Sequence, residues 1–206
     1  MPRSMPARGA PQRRRRGLLR YRPMGATRIE ILISQQRIEQ RLDELAAAID
    51  GRHGGAEAIT CVGVLKGSLY FLSDLTRRLT TPVEIDFVQI SSYRGTVRGR
   101  LEVKRRPQLD LAGKPVILVE DIIDSGYSVA AAIDILEEHG AVRPEVCTLL
   151  DKVPAREIDV PITYRGFEVG DAFVVGYGLD LEERYRNLPY IGVVHEDAAP
   201  APADDA

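Results

Sequence analysis

Hydrophobic positions along the chain fall into two periods. After Ser34, a residue type that caps helices, Ile38, Leu42, Leu45 and Ile49 recur at helical spacing, and Asp50-Gly51 supplies a stop. AITCVGV, at about 58–64, is a short apolar run of strand type, followed by the tripeptide Leu65-Lys66-Gly67 and a helical pattern reaching Leu79. Thr81-Pro82 then turns the chain into VEIDFVQI, where Val83, Ile85 and Phe87 share one face of a predicted strand. Residues 91–114 are polar and carry Arg94, Arg98, Arg100, Lys104, Arg105 and Arg106, a stretch that reads as a functional loop, a lid or a hairpin. PVILVE (115–120) predicts a buried strand. A helix over 126–139 follows, with Val129, Ile133 and Leu136 on one face and Gly140 at its end. EVCTLL (145–150) and FVVGYG (173–178) predict two more strands. Strands separated by helices imply an α/β fold, a mostly parallel sheet flanked by helices on both faces. In such sheets ligands bind beyond the carboxyl ends of the strands.

Composition narrows the class. The chain has 206 residues, 44% hydrophobic and 28% charged, which suits a globular protein with a full core. No apolar run approaches the ~18–20 residues that cross a bilayer, so a membrane partner is not expected. Cys61 and Cys147 each sit within apolar runs and have no CxxC or Cys/His partner, so neither a disulfide framework nor zinc is expected and a reducing cytoplasm is the expected location. His53, His139 and His195 are far apart and read as surface residues.

Charge is unevenly spread. Residues 1–29 hold nine arginines and no acid, so removing them takes the net charge from −2 to −11. The expected division is a disordered Arg-rich tail over 1–27, one domain over 28–195 and a disordered acidic tail over 196–206. The basic tail lacks the apolar stretch of a secretory signal. It has the composition of a transit peptide but is poor in serine, and Met24 offers an internal start.

The chemistry concentrates at 116–128. There an apolar strand runs into Glu120 and Asp121, a third carboxylate follows at Asp124, and Ser125-Gly126-Tyr127-Ser128 opens a helix. Gly126 permits a tight turn, and free amides with a helix dipole make an anion site. One acid at such a junction reads as a helix cap. Three together do not, and carboxylates beside an anion site repel the ligand unless they hold sugar hydroxyls or a divalent cation. The pattern suits a ribose 5-phosphate.

VILVEDIIDSGYS resembles the phosphoribosyl-pyrophosphate (PRPP) motif of the type I phosphoribosyltransferases. Three further segments resemble the hypoxanthine-guanine phosphoribosyltransferases within them: Leu65-Lys66-Gly67 their pyrophosphate loop, Ser92-Tyr93 their mobile loop, and 149–194 their purine-binding region. The resemblance spans about Ile31 to Val194. Tyr127 departs from it, because some members carry lysine there.

This resemblance implies a type I phosphoribosyltransferase fold with a small purine-binding hood. It implies transfer of a 5-phosphoribosyl group from PRPP to N9 of hypoxanthine or guanine, with Mg²⁺, in a homodimer or homotetramer. Asp124 would be the general base, and Glu120, Asp121, Ser125, Gly126, Tyr127 and Ser128 would bind the ribose phosphate. Lys66, Gly67 and Arg186 would bind pyrophosphate, with a cis peptide at Leu65–Lys66. Lys152, Phe173, Val174 and Asp180 would bind purine, and Glu120, Asp121 and Asp180 would face the metal. Taken singly, Phe173 and Val174 read as core strand residues and Lys152 as a solvated lysine. Only four lysines stand beside 24 arginines, however, and a lysine kept in such a chain hints at selection for the ammonium.

Two alternatives remain beside this. A relative acting on other bases shares every motif, and hypoxanthine, guanine and xanthine stay unranked. Nucleotide-sensing regulators also use this fold, but they need a basic face or an added DNA-binding helix pair. The −11 balance and the patternless tail argue against specific nucleic-acid binding.

Overall fold

A computed structural model describes residues 28–92 and 101–195. Both expected tails and the tip of the 91–114 segment, including Tyr93, lie outside them. Among the described residues thirteen short elements alternate as β1 (Arg28–Ile33), α1 (Gln35–His53), β2 (Ile59–Leu65), α2 (Leu69–Thr76), β3 (Val83–Ser92), β4 (Leu101–Arg105), β5 (Val116–Ile123), α3 (Tyr127–Glu138) and β6 (Glu145–Asp151). A single 3-10 turn (Val153–Ala155), β7 (Tyr164–Glu168), β8 (Val174–Val175) and β9 (Ile191–His195) complete them.

Six strands form one sheet in the order β4-β3-β2-β5-β6-β7, parallel throughout except for β4, which runs antiparallel to β3. The pleat sorts side chains to two cores. Ile59, Cys61, Ile117, Val119, Cys147 and Leu149 pack under α1 and α2, whereas Val62, Val64, Leu118 and Val146 pack under α3. Burial on both faces is why these strands read as unbroken apolar runs. Burial also pushes the Cys61 thiol up to about 12, leaving it an inert hydrophobe. A second sheet, β1-β9-β8, is antiparallel and forms the small hood. Among the described residues no helix is long and apolar enough to cross a membrane.

Several boundaries differ from the sequence expectation, each for a local reason. Ser34 does cap α1, its hydroxyl accepting the Arg37 amide. The helix passes Asp50-Gly51, however, because the Asp50 side chain is spent on Thr80 and Thr81, and Gly54 ends the helix with its amide on the Asp50 carbonyl. α2 stops at Thr76, short of Leu79. β5 runs three residues beyond the apolar segment, because Glu120 and Ile122 keep their pairing with Thr148 and Leu150 of β6. FVVGYG yields only the two-residue β8, since Gly176, Tyr177 and Gly178 all turn at positive φ. In β3, Val83 and Phe87 face a core, but Ile85 is 47% exposed while Asp86 and Val88 of the other face are buried. The 91–114 segment is a hairpin at its base, formed by β3 and β4. His53 is not a surface residue: it is half-buried against Glu145.

Candidate active site

The carboxyl ends of β2, β5 and β6 meet the hood, and two adjoining cavities open there. One, of about 240 Å³, lies between Asp121, Asp124, Lys152, Phe173, Val174 and Asp180. The other, of about 230 Å³, lies over Glu120, Asp124, Ser125, Gly126 and Ser128. Asp124 borders both.

Glu120 and Asp121 are the last charged residues inside β5, not beyond it, so the strand itself aims them. Glu120 is 7% exposed, and its Oε2 has no hydrogen-bond partner. Burial, then the neighbouring Asp121, holds its carboxyl well above the usual range. Burial likewise pushes Asp121 up to about 6, against the pull of backbone amides and Arg186. Gly67 covers Asp121 so closely that a Cβ there would lie 1.8 Å from Oδ2, and a Cβ on Gly178 would lie 1.9 Å from the Gly67 carbonyl oxygen. The pyrophosphate-loop candidate, the β5 carboxylates and the hood are therefore stacked in direct contact. The Leu65–Lys66 peptide is cis.

The turn after β5 is held from outside. Gly126 adopts φ 97, a conformation that favours glycine, and precedes α3 without a side-chain cap. The Glu157 and Ile158 amides donate to the Ser125 carbonyl at 3.0 and 3.1 Å, and Ile158 sits where a Cβ on Gly126 would go. Tyr127 begins α3 with its ring exposed. The segment that follows Lys152 thus also braces the Ser125–Gly126 turn.

Lys152 is only 8% exposed, which corrects the reading of a solvated lysine. Its amide donates to the Ile123 carbonyl at 2.9 Å. Its Nζ stands 3.8 Å from Asp124 Oδ2 and 3.5 Å from Asp171 Oδ1. Beside it, Asp151 is buried and paired with Arg156 and, at 2.9 Å, with Arg165. Phe173, 53% exposed, leaves a ring face at the cavity rim, while Val174 is buried in the core, as a strand residue would be. Arg186 donates from Nη1 to the Gly178 carbonyl at 2.7 Å and pairs through Nη2 with Asp180 at 2.7 Å. Of the expected site residues only the Ser92-Tyr93 pair stays apart from this account: Ser92 ends β3 and Tyr93 lies outside the described residues. Sequence reasoning missed Asp171, Glu183, Arg156 and Ile158. Asp171 lay two residues before Phe173 and Glu183 three before Arg186, but no motif marked either.

Comparisons with known proteins give the chain its family. A family profile, that of the phosphoribosyl transferase domain, matches residues 29–182. The chain is 41% identical over 167 residues to a hypoxanthine-guanine phosphoribosyltransferase of Bacillus subtilis, covering 80% of this chain and 92% of the relative. It is 42% identical over 170 residues to a hypoxanthine phosphoribosyltransferase of Salmonella typhimurium, covering 81% and 95%. The crystal structure of a hypoxanthine-guanine phosphoribosyltransferase from Bacillus anthracis superposes with a TM-score of 0.75 at 39% identity, covering 82% of this chain and 99% of that one.

Proposed function

The chain belongs to the phosphoribosyl transferase family, and we propose that it transfers the 5-phosphoribosyl group of PRPP to N9 of a 6-oxopurine, hypoxanthine or guanine, releasing pyrophosphate. The observation that carries this is Asp124 on the wall common to both cavities. One cavity offers a ring face and a buried ammonium, the other a tight glycine turn at a helix start, and the bond to be made lies between them.

In this reading Asp124 accepts the purine N7 proton as N9 attacks ribose C1, a role that supplies ~10²–10⁴ in rate. Ser125 to Ser128 cradle the 5-phosphate with hydroxyls and helix-start amides. Glu120, whose Oε2 is orphaned, accepts from the ribose hydroxyls. Lys66, the Gly67 amide and Arg186 compensate the departing pyrophosphate. Phe173 stacks on the ring, Val174 meets its edge through the main chain, and Lys152 donates to the 6-oxo oxygen.

The buried Glu120 with its unpaired oxygen, the partly buried Asp121 beside it and Asp180 close by fit magnesium, which takes one or two carboxylates together with substrate phosphates. Glu120, Asp121 and Asp180 would hold or face it, and bound with PRPP it would neutralise charge on the pyrophosphate. Two buried free thiols suit a reducing cytoplasm, and a homodimer or homotetramer is the assembly that the family resemblance implies.

The test is a steady-state assay with hypoxanthine, guanine, xanthine and adenine against PRPP. An ammonium only donates, which matches a 6-oxo acceptor and not a 6-amino group. That mismatch costs about 1–3 kcal/mol, so adenine should be about 5–150-fold poorer, and Lys152→Ala should narrow the gap. Adenine turned over as well as hypoxanthine would overturn the Lys152 assignment, and no transfer to any 6-oxopurine would overturn the function.

A further inference from the structure

The two cations assigned to the pyrophosphate already share an anion. Lys66 Nζ donates to Glu183 Oε2 at 3.0 Å, and Arg186 Nη2 donates to the same oxygen at 3.2 Å. One carboxylate oxygen therefore sits between an ammonium and a guanidinium brought together from opposite parts of the chain. A phosphoryl oxygen bound by these residues would need that position. Arg186 has other contacts to fix it, on Gly178 and Asp180, but Glu183 is the ion-pair partner found for Lys66 among the described residues.

Glu183 is delivered there by a built turn. Its amide donates to Asp180 Oδ2 at 2.9 Å, and its φ is 64. Glu182 and Tyr185 also take positive φ, at 52 and 71, and the Leu181–Arg184 bridge closes the turn with two backbone hydrogen bonds. Left-handed conformations at three non-glycine residues persist only where the surroundings impose them. The same Asp180 that anchors Arg186 thus also fixes the backbone of the competing carboxylate.

We propose that Glu183 is an internal stand-in for a pyrophosphate oxygen. Resting on the reading of Lys66 and Arg186 as the pyrophosphate clamp, the proposal assigns Glu183 to both cations in the free enzyme. The pyrophosphate moiety of PRPP displaces it, and it returns to them as the product pyrophosphate leaves. The pairs are exposed, so each is weak, and the competition is one that a magnesium-bound polyanion wins readily. Glu183 is a positioning residue here, not a catalytic one. Its effect is confined to ligands that carry a pyrophosphate, and the nucleoside monophosphate product, which lacks one, does not feel it.

The experiment is calorimetric titration of the full chain with magnesium pyrophosphate, magnesium PRPP and IMP. Glu183→Gln should bind pyrophosphate and PRPP roughly three- to tenfold more tightly, the size of two weak ion pairs, with IMP unchanged. Glu182→Gln removes the same charge one residue away from a side chain that pairs with neither cation, and should stay within about twofold of wild type. Pyrophosphate should also become a stronger product inhibitor of Glu183→Gln. Unchanged or weaker pyrophosphate binding in Glu183→Gln overturns the proposal, and so does equal tightening in Glu182→Gln, which would report bulk charge. Lys66→Ala and Arg186→Ala separate this failure from that of the clamp. If they weaken PRPP binding while Glu183→Gln does nothing, only the Glu183 proposal falls. If they bind PRPP as wild type does, the clamp falls and the proposal with it.

Discussion

The two ends of the parallel sheet treat their charges in opposite ways. At the amino end Glu84 and Glu145 are surrounded by donors. Glu84 accepts from Thr60 and Lys114 at 3.2 and 2.6 Å, and Glu145 from His53, Arg52 and Tyr164 at 3.0, 2.6 and 2.8 Å. The Lys114 and His53 hydrogen bonds hold these carboxyls below their usual range, against whatever burial adds. At the carboxyl end, burial pushes Glu120 and Asp121 above it. The buried side-chain atoms left without a partner among the described residues, Glu120 Oε2, Arg156 Nε and Arg186 Nε, are all at this end. Folding rarely leaves buried polar groups unpaired. An edge that leaves such atoms unpaired beside two cavities, with two carboxyls lifted by burial, is shaped to be completed by a ligand.

Asp151 sharpens the contrast, because it is a buried carboxyl-end acid that is fully paired. It stands at the end of β6, held by Arg156 and Arg165. This pair belongs to the frame around Lys152 and not to the ligand set, so its loss should be felt in stability first. Asp151→Ala leaves the mostly buried Arg156 guanidinium uncompensated, and urea denaturation should show a loss of about 3 kcal/mol. A loss below about 1 kcal/mol would place Asp151 among the solvated charges. Asp124 should do the reverse. Asp124→Asn should lower kcat with hypoxanthine by about 10²-fold while the unfolding midpoint and PRPP binding stay put. Unchanged kcat would remove Asp124 from the base role.

How much of this the sequence disclosed depends on whether a residue acts within its own segment. PVILVE was legible as a strand because both its faces are buried, and the Asp124 to Ser128 turn because glycine, acid and hydroxyl residues occur together. The continuation of β5 past Glu120, through Asp121 to Ile123, was hidden, since a charged residue holds a strand only when a neighbour such as β6 keeps pairing around it. β1 and β9 went unseen because each exists through the other, Arg28 opposite His195 across the whole chain. β7 was masked by Gly166, whose missing side chain admits the Leu149 carbonyl. Lys152 looked solvated for the same reason: its burial comes from the hood, not from its neighbours in sequence. Asp171 and Glu183 reach the site through loops whose turns carry no glycine signal at those positions.

The carboxyl-end acids should also be costly in the absence of ligand, which the amino-end acids are not. Glu120→Gln relieves a carboxyl that burial and the adjacent Asp121 hold above its usual range, and should stabilise the free protein by about 1–2 kcal/mol at neutral pH while raising the apparent KM for PRPP. The same change at Glu145 should destabilise, because three donors lose an anion. Thermal unfolding of both variants, without ligand, decides the matter: equal signs would dissolve the distinction between the two ends.

The smallest expected effect lies in Asp50, at the amino end. Its Oδ2 accepts from the Thr80 amide and hydroxyl at 2.9 and 2.8 Å, and its Oδ1 from the Thr81 amide and hydroxyl at 3.0 and 2.8 Å. Burial opposes ionisation here, but the four donors prevail and bring the carboxyl down from 3.8 to about 2. A depressed folded value means that the stabilisation is complete above about pH 4, where the unfolded chain is also ionised, and is lost as the pH falls through about 2. Asp50→Asn keeps one acceptor oxygen and turns a second donor group toward the other threonine, leaving an amide unmatched. The site is partly open to water, so the cost at pH 7 should be only about 1 kcal/mol. Urea midpoints of wild type and variant, measured from neutral pH downward, should converge as the carboxyl protonates. A gap that stays constant to about pH 2 would show that the hydrogen bonds act without the charge, and the amino end would then owe its stability to donor geometry alone.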